Sequence, residues 1–154
     1  MFRKPLIVLM LLIVAGVGVY AIRQNGASVY YRIIDEPADA LDTSRIEWIT
    51  QKNAQKGVHL YSVKTSTPYE LLFYDNTRYG EQQDRYRTST LHAKLYGQTL
   101  RIDIDEQYAM DESFINDRIL AHFIIKDEPA IIEVYRNGVK EQYDIESGTE
   151  KISQ

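Results

Sequence analysis

The sequence predicts an α+β domain built mostly of antiparallel strands, a meander of about seven or eight with one helix, placed behind an N-terminal transmembrane helix. Three features carry that reading: an unbroken apolar run from Leu6 to Val19, a segment near 45–56 with both helix ends written in it, and period-two alternation from Val58 to Ile145. An all-β sandwich is the alternative, because turn signals do not say how a set of strands closes.

The apolar run comes first. Arg3 and Lys4 precede it and Arg23 follows, and the excess of cations on the N-terminal side keeps that end in the cytoplasm and places the rest outside. As a helix, Pro5 to Ile22 would extend roughly 27 Å at about 1.5 Å per residue, close to the roughly 30 Å of bilayer hydrocarbon. A cleaved signal peptide competes, since Val19-Tyr20-Ala21 is a passable cleavage site. Length favours an uncleaved signal-anchor over residues 1–23, with cleavage near Ala21 and secretion as the alternative. The chain has no cysteine, so no thiol carries a lipoprotein's lipid and the helix itself is the anchor. The expected location is the cell membrane, single-pass through Leu6 to Ile22, with the C-terminal domain outside.

Residues 24–28 read as a short polar linker, 29–145 as the domain and 146–154 as a flexible tail. Val29 to Ile34 is the expected first strand and an edge of the sheet, ended by Asp35-Glu36-Pro37. Ser44 with Glu47 three residues on forms a capping box, and Lys52, Lys56 and Gly57 supply a helix C-terminus. Ile46, Trp48, Ile49 and Ala54 give that helix a narrow apolar stripe with Trp48 as its anchor. Strands are expected over 58–64, 69–74, 88–96, 99–104, 118–125, 130–136 and 139–145. Gly97-Gln98 suits a type II′ hairpin and Asn137-Gly138 a type I′ hairpin. Ser66-Thr67-Pro68 and Lys126-Asp127-Glu128-Pro129 supply two more turns, and connections this short point to antiparallel neighbours.

Composition narrows the class. Every acidic residue lies beyond the anchor, so the outer domain is more acidic than the whole-chain net charge of −4, the wrong sign for nucleic acid or an anionic membrane surface. Without disulfides the domain is held by its core, in keeping with a bacterial cell envelope. Twelve tyrosines against four phenylalanines suit half-buried sheet surfaces.

Two long connections, Asp75 to Arg87 and Asp105 to Asp117, are where function is expected. The first interleaves arginine with tyrosine, the residue types enriched at interaction hot spots, and makes Arg78, Tyr79, Arg85 and Tyr86 the candidate binding residues. Asp103, Asp105, Glu106, Asp111 and Glu112 offer oxygen ligands but lack the spacing of a calcium loop, so a solvated acidic loop is expected. His59, His92 and His122 carry no zinc-site spacing, and His92 falls on the face opposite Leu91, Ala93 and Leu95. No nucleophile elbow, P-loop or dinucleotide fingerprint occurs, so no catalytic residue, metal or cofactor is assigned. The reading that follows is a membrane-tethered extracytoplasmic binding module without catalytic activity, meeting a protein or cell-envelope partner at the membrane face. A small envelope hydrolase using carboxylates or histidine, and an accessory subunit of a membrane complex, are the alternatives.

Overall fold

The structure, a computed structural model, describes residues 26–63, 68–78, 87–108 and 118–148. The N-terminal run, the Ser66-Thr67 turn, Tyr79, Arg85, Tyr86, Asp111, Glu112 and the last residues of the tail lie outside them. In chain order the described elements are β1 (Ala27–Ser28), β2 (Tyr31–Ile33), α1 (Pro37–Ala40), α2 (Thr43–Lys52), β3 (Val58–Val63), β4 (Tyr69–Asp75), β5 (Arg87–Tyr96), β6 (Thr99–Tyr108), β7 (Ile119–Ile125), β8 (Ile131–Arg136), β9 (Val139–Lys140) and β10 (Tyr143–Gly148).

Alternation decides how they assemble. Leu91 and Ala93 on β5, Leu100, Ile102 and Ile104 on β6 and Val134 on β8 point to one side and are buried. Val58 and Leu60 on β3, Leu71 and Phe73 on β4, and Ala121 and Phe123 on β7 do the same from a second sheet, and the two apolar faces form one core. The result is two five-stranded sheets, ordered β1-β5-β6-β8-β9 and β10-β3-β4-β7-β2, packed face to face.

The β-rich character matches the expectation from sequence, and the sheet connectivity corrects it. A single meander does not form: β8 runs parallel to β6, and β10 runs parallel to β3. Short loops do not forbid this, because the chain leaves β6 for β7 in the other sheet and returns as β8, reversing direction twice. The long crossover that parallel neighbours require is here a strand of the facing sheet. The two predicted hairpins do pair as neighbours. Tyr96 opposes Thr99 across Gly97-Gln98, where only the first residue has positive φ, and Arg136 opposes Val139 across Asn137-Gly138, where both do. These are the backbone signatures of types II′ and I′. After Lys140 the chain changes sheets, so the expected last strand is split and its second part continues to Gly148. The expected first strand, Val29 to Ile34, is shortened to β2, which pairs with β7, and the expected linker over 24–28 is corrected, because its last two residues form β1 and pair with β5 in the other sheet.

The helix α2 covers the outer face of the second sheet. Its N-cap is Asp42, whose carboxylate accepts from the Arg45 N–H at 3.0 Å, so the helix begins ahead of the predicted Ser44 cap. Pro37, predicted only to break a strand, starts the short α1 at a position where its missing N–H costs nothing. Trp48 and Ile49 pack with Ile34, Leu72, Tyr74 and Leu120 in a second apolar cluster, and the Trp48 ring lies 5.3 Å from that of Tyr61. Ala54 is exposed, and Lys52 takes the buried place expected for it.

Removing the indole should therefore detach α2. Trp48→Ala is expected to lower unfolding stability by about 3–5 kcal/mol in urea denaturation. The buried Trp48 Nε1 has no hydrogen-bond partner among the described residues, so Trp48→Phe should cost far less. Equal losses for the two variants would mean that ring packing is not what holds the helix.

Candidate functional site

The sandwich has two unlike ends. The chain enters at Gly26, one residue before Ala27 pairs with Leu95, beside the Gly97-Gln98 turn. At the opposite end, called the far end below, lie the C-termini of β4, β6 and β8 and the start of β7. Three of those strands carry a charged residue one step past their last inward apolar side chain: Asp75 after Phe73, Glu106 after Ile104 and Arg136 after Val134. Period two turns all three into the space between the sheets.

They meet there. Arg136 Nη2 donates to Asp75 Oδ2 at 2.9 Å, its Nη1 to Glu106 Oε1 at 2.5 Å and its Nε to Glu141 Oε1 at 2.6 Å. Arg78 makes a fork to the same Glu106, Nε to Oε1 and Nη2 to Oε2, both at 3.1 Å. Thr77 Oγ1 donates to Asp75 Oδ1 at 2.7 Å. Asp75 and Arg136 are buried, so the charges are taken from water and returned to one another. Burial alone would make the Arg136 guanidinium easier to deprotonate, but Asp75, Glu141 and Glu106 outweigh it and hold it more firmly protonated than usual. Burial would likewise raise Glu106, and the two arginines reverse that and hold it below the ordinary carboxylate range.

A second polar cluster joins α2, β3 and β10. Lys52 Nζ donates to Asp144 and, at 2.6 Å, pairs with Glu146. His59 is buried, its Nδ1 against the Asp144 carboxylate and its Nε2 donating to the Gln55 carbonyl at 2.8 Å. Both ring nitrogens are thus occupied, which makes His59 a structural group of the β10 attachment. Burial pushes the Asp144 carboxyl up, and hydrogen bonds from Lys52 and His59 more than offset it, leaving it lowered. Next to this cluster the fully buried Asn76 donates from Nδ2 to the Lys52 carbonyl and accepts from the Gly57 N–H, both at 2.9 Å, securing the end of α2.

Of the predicted binding residues, Arg78 is described, and it is tied to Glu106; Tyr79, Arg85 and Tyr86 lie outside the described residues. Arg78, Glu106, Gln107, Tyr108 and Asn137 line a recess of about 210 Å³ at the far end. Tyr108 is 65 % exposed, and sequence reasoning missed it because it was read as part of a loop and not as the end of β6. The predicted acidic cluster does not converge. Asp103 and Asp105 share the outer face of β6, Asp103 paired with Arg101 at 2.8 Å, while Glu106 turns inward. No group of three or more metal-ligating side chains occurs among the described residues. His92 is exposed, and His122 on β7 meets Glu70 at 3.1 Å, so the three histidines face three different carboxylates, Asp144, Asp105 and Glu70.

A larger cleft opens along one side of the sandwich, about 430 Å³, between β2 and the outer edge of β5. Ile33, Ile34, Ser89, Leu91, Arg118 and Ile119 are among its lining.

Removing Arg136 should leave buried carboxylates unpaired, so Arg136→Ala is expected to cost about 3–5 kcal/mol in chemical denaturation. Arg136→Lys should restore little, since an ammonium cannot fork to three carboxylates; full recovery with lysine would refute the geometry. The folded protein holds Glu106 and Asp144 below their ordinary values of 4.5 and 3.8. The stability they contribute is therefore complete above those values and is lost as pH falls through the lowered folded ones. Acid titration of Trp48 fluorescence should show unfolding in that range, with Asp144→Asn losing part of the dependence. A profile unchanged by Asp144→Asn would remove Asp144 from the account.

Comparison with known proteins finds no matching family model, no matching curated protein and no matching solved structure, so the residues themselves carry the functional reading.

Proposed function

We propose that this chain is a membrane-tethered extracytoplasmic interaction module that acts without catalysing a reaction. Leu6 to Ile22 hold it at the cell membrane, and the far end of its sandwich meets a protein or cell-envelope component. The observation that carries this reading is the polarity of the domain. The chain arrives from its apolar segment at one end, and both long connections, 79–86 and 109–117, leave and rejoin strands at the other. Their bases are fixed by the Arg136 network, which holds Arg78 and the strand bearing Tyr108 in place. Arginine and tyrosine on a rigid base suit contact with a partner, because little conformational freedom is lost on binding. Tyr79, Arg85 and Tyr86 belong to the same proposed surface. Only residues 23–26 separate the apolar segment from β1, too short a stretch to let the domain leave the bilayer, so its partner is itself at the membrane face.

In-cell crosslinking of the tagged full-length chain, followed by mass spectrometry, tests the surface. Tyr108→Ala, Arg85→Gln and Tyr86→Ala should each reduce capture of the principal partner by about tenfold, the loss of a hot-spot contact, with the melting temperature unchanged. Capture at the original level by all three would remove the far end as the contact surface. Sequencing of the mature N-terminus tests the tether: Met1 should be intact and in the membrane fraction, whereas a start near Ile22 in the medium would overturn it.

A further inference from the structure

The hydrogen-bond parity of β5 leaves part of that strand's edge open, and the cleft beside it is lined by none of Arg78, Glu106, Tyr108 and Arg136. In a two-residue hairpin the closing pair exchanges both of its hydrogen bonds, so Tyr96 bonds to Thr99. By alternation Lys94, His92, Thr90 and Thr88 then bond to β6. Ala93, Leu91 and Ser89 must turn their N–H and C=O groups to the opposite edge. Two contacts agree: the Ala93 carbonyl accepts from the Val29 N–H at 3.4 Å, and the Leu91 carbonyl accepts from the Tyr31 hydroxyl. β1 pairs only with Lys94 and Leu95 before the chain departs for the other sheet as β2. The Leu91 N–H and both backbone groups of Ser89 are left facing the 430 Å³ cleft with no backbone partner among the described residues.

From this geometry we infer that the β5 edge at Ser89–Leu91 takes an extended polypeptide segment, which pairs as an added strand and places alternate apolar side chains in the cleft. A row of backbone donors and acceptors at strand spacing is satisfied by another strand's backbone. The guest would continue the line of β1, which runs antiparallel to β5. Its residues opposite Leu91 and Ser89 share the inward side of those residues, and the one opposite Thr90 points out. The cleft on that side carries Ile33, Leu91 and Ile119 in its lining, so large aliphatic side chains suit the inward positions. A volume of about 430 Å³ lies within the roughly 300–1,000 Å³ of ligand-holding pockets, room for two such side chains. Ile33 is 47 % exposed at the mouth although it faces inward, which leaves apolar surface for the guest to cover.

The test uses the full-length chain in lipid nanodiscs, panned against a phage-displayed library of random decapeptides. Enriched peptides should carry large aliphatic residues at alternating positions, and the best of them, added as synthetic peptide, should slow hydrogen exchange at the Leu91 amide. N-methylation of the peptide amides that face β5 should weaken binding at least tenfold. Ile33→Asp, at an exposed position that leaves the core intact, should do the same with an unchanged melting temperature. No enrichment over empty discs, or binding indifferent to N-methylation, would overturn the proposal, the second result assigning the cleft to isolated apolar groups. Protection of the Leu91 amide that rises with protein concentration and without peptide would assign the edge to a second copy of the chain, and so would also overturn it. These outcomes are independent of the far-end variants.

Discussion

The Arg136 guanidinium is the group on which the far end of this domain depends. It sits between the two sheets, where water no longer solvates it, and its three nitrogens are directed at carboxylates from β4, from β6 and from the segment after β9. Each sheet contributes charge to the contact, so the two layers are tied by an interaction that requires both. An aliphatic plug could close the same space with comparable stability. It would not fix the angle at which Arg78 lies against Glu106, or the points from which the two long connections start.

The other constraint is topological. By passing from β6 through β7 in the other sheet to β8, the chain obtains a parallel pair with a strand in place of a crossover helix, and its first segment is divided between layers. β1 is too short to cover the edge of β5, and β2 is committed to β7. The open side of the sandwich is thus a consequence of where the chain crosses. At the opposite edge of the second sheet, β10 is held by backbone pairing to β3 and by the Lys52, His59 and Asp144 cluster.

Much of the fold was legible because period two is written plainly in it. Leu100, Ile102 and Ile104, or Leu91 and Ala93, declare which side is buried, and Asn137-Gly138 declares its turn. The same parity, carried one residue further, would have turned Asp75, Glu106 and Arg136 inward. That signal was present, and it was obscured because charged residues at strand ends ordinarily belong to loops. The helix cap shows a comparable limit: Asp42 and Ser44 are both good cap residues, and only the path of the chain from α1 chooses between them. Arg78 was read as a free contact residue, yet its fork to Glu106 depends on a residue from another strand, and sequence spacing does not report such a meeting.

By itself the sequence determined the elements that depend on near neighbours. These are the strands and their faces, two hairpin turns, the approximate helix with Trp48 as its anchor, and an apolar segment long enough to span a bilayer. Alternation, turn dihedrals and capping act over a few residues, so they can be read along the chain. Which strands share a sheet, which run parallel, which charges are buried together and which edge stays open were decided by the tertiary structure. Those properties come from packing two apolar faces against each other, and that packing joins residues whose separation along the chain carries no pattern.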